Sequence, residues 1–434
     1  MAEAVKRRVV AGVIEQVEEE EVLDVQYTSC IVVGGGPAGA VLALLLARQG
    51  VETTLLEAHG DFDRQFRGDT LHPSVLEIMA EIGLAERLHE LPHTKVPGIP
   101  IQTPDGPLVP VDLRYLRSSY QYIMLVPQAR FLDLITKEAA RYPNCRLVMG
   151  ANVRRLVEEG GTVRGVRYRA KDGWHEVRAG LVVGADGRNS KIRHLAGFEP
   201  TATFVSPSDT LWFRLPREER DPESSFGRIA HGRFVGMLYR ADHWQVSYNI
   251  PKDSYSELKA AGLPALRRAL ARVLSEFATH LERLQDWRQF SLLSVESSRL
   301  GRWHRPGLLF IGDAAHVMAP ALGVGINFAI QDAVVAANVL MRPLLAFQRD
   351  GARRSPRAPW RRCSAGASCR PGSSRGFRNT EAIAWPECSL ASRLCLLPCA
   401  GCCARPSCAA CSLASSVSVY GGFTSASRAD GETS

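Results

Sequence analysis

The sequence predicts an α/β fold whose buried strands end at a ligand-binding edge. Two observations carry this prediction. A β-branched run at residues 30–33 leads into a glycine-rich turn, and an apolar run at residues 308–311 ends at Gly312 and Asp313. A long apolar helical pattern follows each turn. In open α/β sheets, ligands lie beyond the carboxyl ends of the strands, where helix N-termini favour negative charge.

The first turn carries the spacing G-x-G-x-x-G, which consists of Gly34, Gly36 and Gly39. A helix over residues 40–48 and a strand over residues 53–56 are predicted to follow, and Glu57 ends that strand. A glycine triplet alone is weak, but strand, glycines, helix, strand and acid in this order predict a dinucleotide site. Glu57 would bind the hydroxyls of an adenosine ribose. The alternative is that Glu57 is a solvated acid at a strand end.

A third segment of the same kind lies between the other two. The apolar run at residues 181–183 leads into Gly184, Asp186 and Gly187, and residues 190–195 are predicted to form a short helix. On its own, an Asp-Gly pair would be an ordinary turn. Together with the other two segments it supports the nucleotide-site prediction.

In this order, the three segments resemble those of the FAD-dependent aromatic monooxygenase family of the para-hydroxybenzoate hydroxylase type, the group A flavoprotein hydroxylases. The resemblance covers about residues 28–343. It implies a Rossmann-like, glutathione-reductase-like FAD-binding domain with an inserted α+β substrate domain on an antiparallel sheet. The implied cofactor is FAD, with NADPH or NADH as co-substrate. A small aromatic, phenol-like compound and O2 are the implied substrates.

The resemblance also implies the reaction. NAD(P)H reduces the FAD, the reduced flavin and O2 form a C4a-hydroperoxide, and its distal oxygen hydroxylates the ring. Because the cofactor carries this chemistry, no catalytic side chain is assigned. Two alternatives remain: a flavin-dependent oxidoreductase without oxygen insertion, and an inactive remnant with a disrupted C-terminus. Halogenation is disfavoured because Val246 stands where a second tryptophan after Trp244 would be expected.

The resemblance assigns cofactor contacts to particular residues. Asp313 would bind the ribityl chain, residues 323–327 would face the pyrimidine side of the flavin, and the Asp186 motif is linked to FAD and the pyridine nucleotide. Arg67 would touch the FAD and Gln128 would lie beside the flavin, although either could be a residue without a ligand. The complete predicted set is Gly34, Gly36, Gly39, Glu57, Arg67, Gln128, Asp186, Asp313, Pro320, Gly323, Gly325 and Asn327.

The middle of the chain mixes aromatic and β-branched residues with polar ones, which is typical of antiparallel strands. Strands are predicted over residues 211–215, 234–239 and 243–250, and two helices over residues 258–290. Strand aromatics are candidates for substrate contact, but they could equally pack in a core, and a loop histidine could be solvated. The candidates are His72, Tyr122, Trp212, Tyr239, Trp244 and Tyr248. His316 is predicted to be a local structural residue.

Composition and motifs together predict the domain boundaries. They are a disordered leader at 1–27, a discontinuous FAD-binding domain at 28–95, 126–200 and 300–345, a substrate domain at 96–125 and 201–299, and a low-complexity tail at 346–434. The tail holds nine of the eleven cysteines, twelve arginines and five acidic residues, so it carries nearly all of the net charge of +8. That composition predicts a disordered or out-of-frame segment, and a zinc site there lacks supporting histidines.

Several classes of partner are not expected. No stretch reaches the roughly 18 apolar residues of a membrane span, and the leader lacks the apolar core of a signal peptide. Reduced Cys30 and Cys145 fit a cytoplasmic protein. Because the basic charge lies in the tail, it gives no reason to expect a nucleic acid. No metal ligands are assigned, and a homodimer is left open.

Overall fold

Strands and helices are interspersed along the chain. The computed structural model describes residues 8–10, 13–15, 21–63, 69–110, 112–240, 242–320 and 323–353. The strands are β1 (Arg8–Val10), β2 (Val13–Glu15), β3 (Val22–Val33), β4 (Thr53–Glu57), β5 (Thr70–Leu71), β6 (Thr94–Val96), β7 (Ile101–Thr103), β8 (Gly106–Leu108), β9 (Ile123–Leu125), β10 (Cys145–Met149), β11 (Asn152–Glu159), β12 (Thr162–Arg169), β13 (Trp174–Gly184), β14 (Thr201–Val205), β15 (Ser208–Pro216), β16 (Phe226–Ala230), β17 (Arg233–Tyr239), β18 (His243–Pro251), β19 (Ser291–Leu293), β20 (Glu296–Arg299), β21 (His304–Arg305), β22 (Leu308–Phe310) and β23 (His316–Val317). The helices are α1 (Pro37–Arg48), α2 (Pro73–Glu81), α3 (Ala85–His89), α4 (Gln128–Ala139), α5 (Lys191–Leu195), α6 (Tyr255–Ala261), α7 (Leu263–Val273), α8 (Ala278–Leu281) and α9 (Gly325–Arg353).

Five parallel strands form the centre of the larger sheet, in the spatial order β10, β4, β3, β13 and β22. The antiparallel strands β11 and β12 extend it beside the first half of β13. Alternate residues of β3 enter different cores, with Cys30 and Val32 on one face and Ile31 and Val33 on the other. Because the five strands are parallel, their carboxyl ends lie along one edge of the sheet.

Helices α1, α4 and α9 cover one face of this sheet. α1 packs against both α4 and α9, and the buried residues of all three join one apolar core. This placement explains why α1 is apolar on nearly all sides. By length and composition alone, α9 is also able to cross a membrane. A buried core helix has the same composition, and α9 packs as one against α1.

A second, seven-stranded sheet is built mainly from the middle of the chain. Its strand order is β19, β15, β18, β17, β16, β7 and β8, and all of its pairs are antiparallel except β16 with β7. Helices α7 and α8 pack on one face and close a separate apolar core. Two three-stranded sheets, β14-β20-β23 and β5-β9-β6, lie outside this sheet.

The predicted disordered leader is wrong where it overlaps the large sheet. Strand β3 begins at Val22, six residues before the predicted boundary, and pairs in parallel with β13 from Trp174 onward. Strands β1 and β2 also pair with each other in that region. The apolar positions Leu23, Val25 and Tyr27 alternate with polar ones, which is a strand pattern. All three side chains are exposed, so hydrogen bonding to β13 rather than burial holds this part of β3.

The predicted tail boundary is also too early. α9 continues through Arg353, and Gln348 ties it to the sheet. The Gln348 side-chain oxygen accepts hydrogen bonds from Ser29 Oγ (3.1 Å) and from the backbone N–H of Glu52 (2.9 Å). Phe347 lies directly over Gly180, where a Cβ would be 2.9 Å from its ring. The rest of the tail, with its cysteine-rich zinc alternative, lies outside the described residues.

Candidate functional site

Three glycines shape the turn between β3 and α1, each for a different reason. Gly34 has φ +106° and a Cβ there would lie 2.4 Å from the carbonyl oxygen of Ala185. A Cβ at Gly39 would lie 1.9 Å from Gly34 O, so this glycine lets α1 pack closely on the strand. At Gly36, in contrast, no described atom lies within 4 Å of a Cβ position. A tight turn, an open approach and a close helix contact are what a bound pyrophosphate requires.

Helix α1 presents its N-terminus at the same turn. Gly36 is the N-cap residue and provides no side-chain cap, and Pro37 is the first helical residue. Backbone N–H groups of a first turn have no partners within the helix, so an uncapped N-terminus favours an anion. The residues present therefore fit the phosphates of a dinucleotide.

Glu57 is a structural part of this turn. One of its oxygens accepts the backbone N–H of Gly35 (2.7 Å), and the other accepts the backbone N–H of His59 (2.9 Å) and contacts His59 Nδ1 (2.8 Å). The residue is only 3% exposed. The alternative of a solvated strand-end acid is therefore wrong, while the ribose contact stays a prediction.

The late Gly-Asp turn lies beside the first turn. The backbone N–H of Ile311 donates to Gly184 O (3.0 Å), which aligns the ends of β22 and β13. Gly312 has φ +59°, and a Cβ there would lie 3.1 Å from Ala38 Cβ and 3.4 Å from Ala329 Cβ. The first turn of α1 and the beginning of α9 thus meet at Gly312. Asp313 follows directly.

Asn327 ties the start of α9 to β5. Its amide nitrogen donates to Thr70 O (2.9 Å) and Gly323 O (3.1 Å), and its amide oxygen accepts the backbone N–H of His72 (2.7 Å). The residue is 4% exposed. Asn327 therefore positions the backbone of its neighbours with both ends of its side chain.

The loop before α9 is closed on one side and open on the other. Gly323 has φ +63°, and a Cβ there would lie 2.0 Å from Thr70 Oγ1. Its backbone N–H donates to Pro320 O (3.1 Å). No described atom lies within 4 Å of a Cβ position at Gly325, the first residue of α9. Gly325 is thus a second open glycine at a helix N-terminus, like Gly36.

Two side chains anchor the central Asp-Gly segment. Asp186 belongs to the predicted cofactor set, and Arg193 does not. Asp186 accepts hydrogen bonds from Ser190 Oγ and from the backbone N–H of Ile192 (3.0 Å), so its carboxylate caps α5. Burial raises the pKa of Asp186, although these two hydrogen bonds act to lower it. Buried Arg193, which the site prediction omitted, donates to Ala314 O (3.1 Å) and Arg188 O (2.8 Å). Arg193 thus joins this segment to the late Gly-Asp turn. Sequence spacing does not predict such a long-range contact.

One further predicted cofactor residue, Gln128, and one predicted substrate residue, His72, lie at helix N-termini. Gln128 is the first residue of α4, and the preceding strand is held there because Val126 N–H donates to Asp69 O (2.9 Å). His72 stands at the N-cap of α2 and is joined to Asn327 as described. Arg67 lies outside the described residues. Of the predicted cofactor set, Gly34, Glu57, Asp186 and Asp313 lie at or just after the ends of β3, β4, β13 and β22.

Three of the candidate substrate residues lie on the helix-covered face of the seven-stranded sheet, and a substrate contact there stays a prediction. Trp244 is fully buried, Tyr248 is 3% exposed, and Tyr239 packs against the same core between the seven-stranded sheet and its helices. The Trp244 indole donates to Asp221 Oδ2 (2.9 Å), which also contacts His280 Nε2 (3.0 Å). These aromatics alternate toward the helical face, and sequence alternation does not tell which face a ligand uses.

Trp212 lies on the opposite face of this sheet. It is half-buried and pairs directly across the strands with Ser247, which in turn pairs with Gly236. Its indole nitrogen is buried and has no hydrogen-bond partner among the described residues. Ser247 and Gln245 on the same face are 8% and 6% exposed. We call this side of the sheet, which carries Trp212, Gln245 and Ser247, the polar face; the helical face is apolar.

Two contacts join segments at the seven-stranded sheet to the segments around β5 and α9. At one end of the sheet, Arg240 forms a buried ion pair with Asp69, which immediately precedes β5. At the other end, the strand β20 beyond β19 is joined to the late segment, because Ala319 N–H donates to Ser297 Oγ (3.0 Å). The described residues on either side of the gap before α9 lie near these two points, since Ala319 bonds Ser297 and Gly323 lies against Thr70, the residue after Asp69.

Tyr122 forms a hydrogen bond with the neighbouring His89. His89 Nδ1 contacts the carbonyl oxygen of Ala85 (2.6 Å), which can only accept, so in the matching tautomer Nδ1 carries the proton and Nε2 accepts. Tyr122 O–H therefore donates to His89 Nε2 (2.6 Å). Lys95 Nζ lies 4.9 Å from the centre of the same ring. A contact of Tyr122 with substrate stays a prediction.

Neither free cysteine among the described residues is a candidate nucleophile. Burial raises the pKa of Cys30 to about 12 and the pKa of Cys145 to about 11, so both remain thiols near neutral pH. Within the described ranges, no cluster of three or more His, Cys, Asp or Glu side chains has the arrangement of a metal site.

Comparison with known proteins identifies the family. Residues 27–348 match the model of an FAD binding domain. The chain is 34% identical over 322 residues to 6-methylpretetramide 4-monooxygenase of Streptomyces rimosus, covering 74% of this chain and 77% of that protein. It is 30% identical to rifampicin monooxygenase of Streptomyces venezuelae, covering 70% of this chain and 62% of that protein. The chain belongs to this family of FAD-binding monooxygenases.

Other relatives share the fold with larger differences. A 3-(3-hydroxy-phenyl)propionate/3-hydroxycinnamic acid hydroxylase of Mycolicibacterium smegmatis is 28% identical, and the chain spans 53% of its length. A probable FAD-dependent monooxygenase from Pseudomonas aeruginosa superposes with a TM-score of 0.62 at 22% identity, covering 75% of this chain and 92% of that one. A myxobacterial chondrochloren halogenase gives a TM-score of 0.65 at 20% identity, covering 76% and 78%. At these identities, the structural matches show the fold alone.

Proposed function

We propose that this chain binds FAD and uses NADPH or NADH and O2 to hydroxylate a small, phenol-like aromatic compound. The observation that carries the proposal is the meeting of two uncovered helix N-termini at one strand edge, each with an open glycine, Gly36 and Gly325. Two such positive ends suit a ligand that carries a pyrophosphate at one end and an electron-accepting ring at the other. A bound FAD would take two electrons from NADPH or NADH and pass them to O2.

The residues divide by the part of the cofactor they would hold. The turn at Gly34–Gly39 and the first turn of α1 would hold the pyrophosphate, and Glu57 would meet the adenosine ribose. Asp313 would bind the ribityl chain, while Gly323, Gly325 and Pro320 would lie beside the ring. The larger sheet is then a Rossmann-like FAD-binding domain. The seven-stranded sheet is the substrate domain. The N-terminus of α9 would stabilise negative charge on the reduced ring.

The polar face of the seven-stranded sheet would bind the substrate. Trp212 offers an indole N–H that lacks a partner among the described residues, and Ser247 and Gln245 are nearly buried beside it. A buried donor without a partner costs folding free energy, so its position is best explained by a ligand that accepts from it. A phenol or carbonyl oxygen on an aromatic ring meets that requirement. These side chains orient the ring and exclude water.

The names of the relatives suggest which compounds to test first. They act on 6-methylpretetramide, rifampicin and 3-(3-hydroxyphenyl)propionate. We propose that the substrate of this chain belongs to the same broad class of oxygen-bearing aromatic compounds. The chain spans 77%, 62% and 53% of these three proteins, so their substrates are candidates that have to be tested on this chain directly. A cytoplasmic location and a homodimer are part of the same proposal.

The decisive experiment is the visible spectrum of the purified full chain before and after anaerobic NADPH, with released flavin identified by mass. The proposal expects bound FAD, bleaching by NADPH or NADH, and reoxidation in air. Each candidate substrate is then added, and NADPH consumption is compared with the mass of the product. A product heavier by one oxygen atom supports hydroxylation. Oxidised product without added oxygen would indicate an oxidoreductase instead, and failure to bind FAD would contradict the proposal.

A further inference from the structure

The segment that presents Asp313 is held from behind by one buried carboxylate. Asp332 lies on the third turn of α9 and is 0% exposed. Its Oδ2 accepts the backbone N–H of Gly312 (2.9 Å) and contacts His316 Nε2 (2.7 Å). A single oxygen therefore closes both ends of the five-residue stretch from Gly312 to His316, with Asp313 between them.

The contacts around this stretch leave it little freedom. Ala315 N–H donates to Gly312 O (2.9 Å), and Ala314 O accepts from Arg193. The ring of Trp303 lies against the His316 imidazole, with 5.1 Å between ring centres. Because a carboxylate can only accept, the bond to Asp332 places the His316 proton on Nε2.

Two polar atoms of the pair are left without partners. Among the described residues, Asp332 Oδ1 and His316 Nδ1 are buried and make no hydrogen bond. Leaving buried polar atoms unpaired costs folding free energy, and an apolar pair of similar volume would avoid that cost. Stability alone therefore gives a poor account of why an acid and a histidine occupy this place. The bond to Gly312 N–H, which an apolar side chain could not make, is what the acid adds.

We propose that Asp332 and His316 are positioning residues that fix Asp313 for FAD, without touching the cofactor or the reacting atoms. This inference rests on the proposed function. An asparagine at 332 keeps the volume but loses the charge that holds His316 and Gly312 together. The Asp313 carboxylate would then lose its fixed direction. The affinity for FAD would fall while the fold persists.

The test is FAD titration of the deflavinated full chain, followed by flavin fluorescence, with the melting temperature of each apoprotein measured in parallel. Asp332→Asn and His316→Ala are expected to raise the Kd for FAD by about tenfold, the scale of one hydrogen bond to a charged group. His316→Gln, whose amide nitrogen can replace Nε2, should restore the Kd to within about threefold of wild type.

A matched control separates positioning from general loss of stability. Asp221 is likewise a buried acid bonded to a histidine, but it lies under the seven-stranded sheet. Asp221→Asn should lower the melting temperature and leave the Kd for FAD unchanged. Positioning through Asp313 also predicts non-additivity: in an Asp313→Asn background, Asp332→Asn should have little further effect on the Kd.

The outcomes distinguish the two levels of the proposal. A wild-type chain that does not bind FAD overturns the proposed function, and this inference with it. A wild-type chain that binds FAD, together with a folded Asp332→Asn variant of unchanged Kd, overturns this inference alone. Should Asp332→Asn fail to fold, His316→Ala and His316→Gln decide: equal Kd values for these two variants would contradict the inference.

Discussion

Asp69 and Arg240 form a buried ion pair between the loop that leads into β5 and the end of β17. Their side chains are 11% and 8% exposed. Arg240 also donates to Tyr239 O (3.2 Å), and Asp69 O accepts Val126 N–H. The pair thus joins the elements around the proposed flavin edge to the proposed substrate sheet. Its geometry, more than its energy, is expected to matter, because buried pairs contribute little net stability but penalise the loss of one partner.

Removing one member of this pair should destabilise the chain strongly. Asp69→Asn or Arg240→Met alone is expected to cost about 3–5 kcal/mol, because each leaves a buried charge without its partner. The double variant should recover a large part of that loss. Urea unfolding of the four proteins measures the coupling. Simple addition of the two single losses would show that the ion pair does not connect the two sheets energetically.

The three glycines of the first turn should separate binding from stability. Gly36→Ala adds a Cβ into space open to the ligand, so FAD affinity should fall by about tenfold, or 1.4 kcal/mol, with an unchanged melting temperature. Gly39→Ala forces a Cβ onto Gly34 O and should cost at least about 1–3 kcal/mol of stability. Gly301→Ala, also in open space but far along the chain, is the control. Equal FAD affinity for Gly36→Ala and wild type would contradict this assignment.

Local patterns predicted the strands and turns of the proposed FAD site well. The runs at residues 30–33, 53–56, 181–183 and 308–311 all lie in or at the ends of parallel strands. Three of them are continuous apolar runs, residues 53–56 are Thr-Thr-Leu-Leu, and each run is closed by glycine or an acid, which is a strong local pattern. Arg193, Asp332 and the Asp69–Arg240 pair were not predicted. Their partners lie far away in the chain, and no local pattern records such contacts.

The substrate sheet shows a different limit of sequence reasoning. Alternation predicted that Trp244, Val246, Tyr248 and Ile250 share one face, and they do. It could not predict that α7 and α8 would cover that face, because the packing partner is set by tertiary contacts. Trp244 and Tyr248, which were candidates for substrate contact, lie in that core. The N-terminal half of β3 was missed for a related reason, since pairing with β13 holds it without burial of its apolar side chains.

Trp212 and Trp244 provide a matched pair for testing the assignment of faces. Trp212→Phe removes the indole N–H that lacks a partner among the described residues, so the KM for substrate should rise, by the equivalent of about 0.5–1.5 kcal/mol, with little change in stability. Trp244→Phe removes a bond to buried Asp221 and should cost about 1–3 kcal/mol of stability with an unchanged KM. Steady-state kinetics and thermal unfolding of both variants measure this. The reverse result would return the substrate to the helical face.

Asp186 makes the stability of the apoprotein depend on pH in a particular direction. Burial raises the pKa of Asp186 above 3.8, the ordinary value that it has in the unfolded chain. Between these two pKa values the folded state binds more protons, so this carboxyl's contribution to stability is greatest at low pH and falls as pH rises through the raised pKa. Asp186→Asn cannot ionise, while its amide can still bond Ser190 and Ile192. The variant should therefore gain stability relative to wild type as pH rises from 4 to 8. Urea unfolding of both apoproteins across that range measures the difference between their free energies of unfolding. If that difference did not change with pH, burial would not raise the pKa of Asp186.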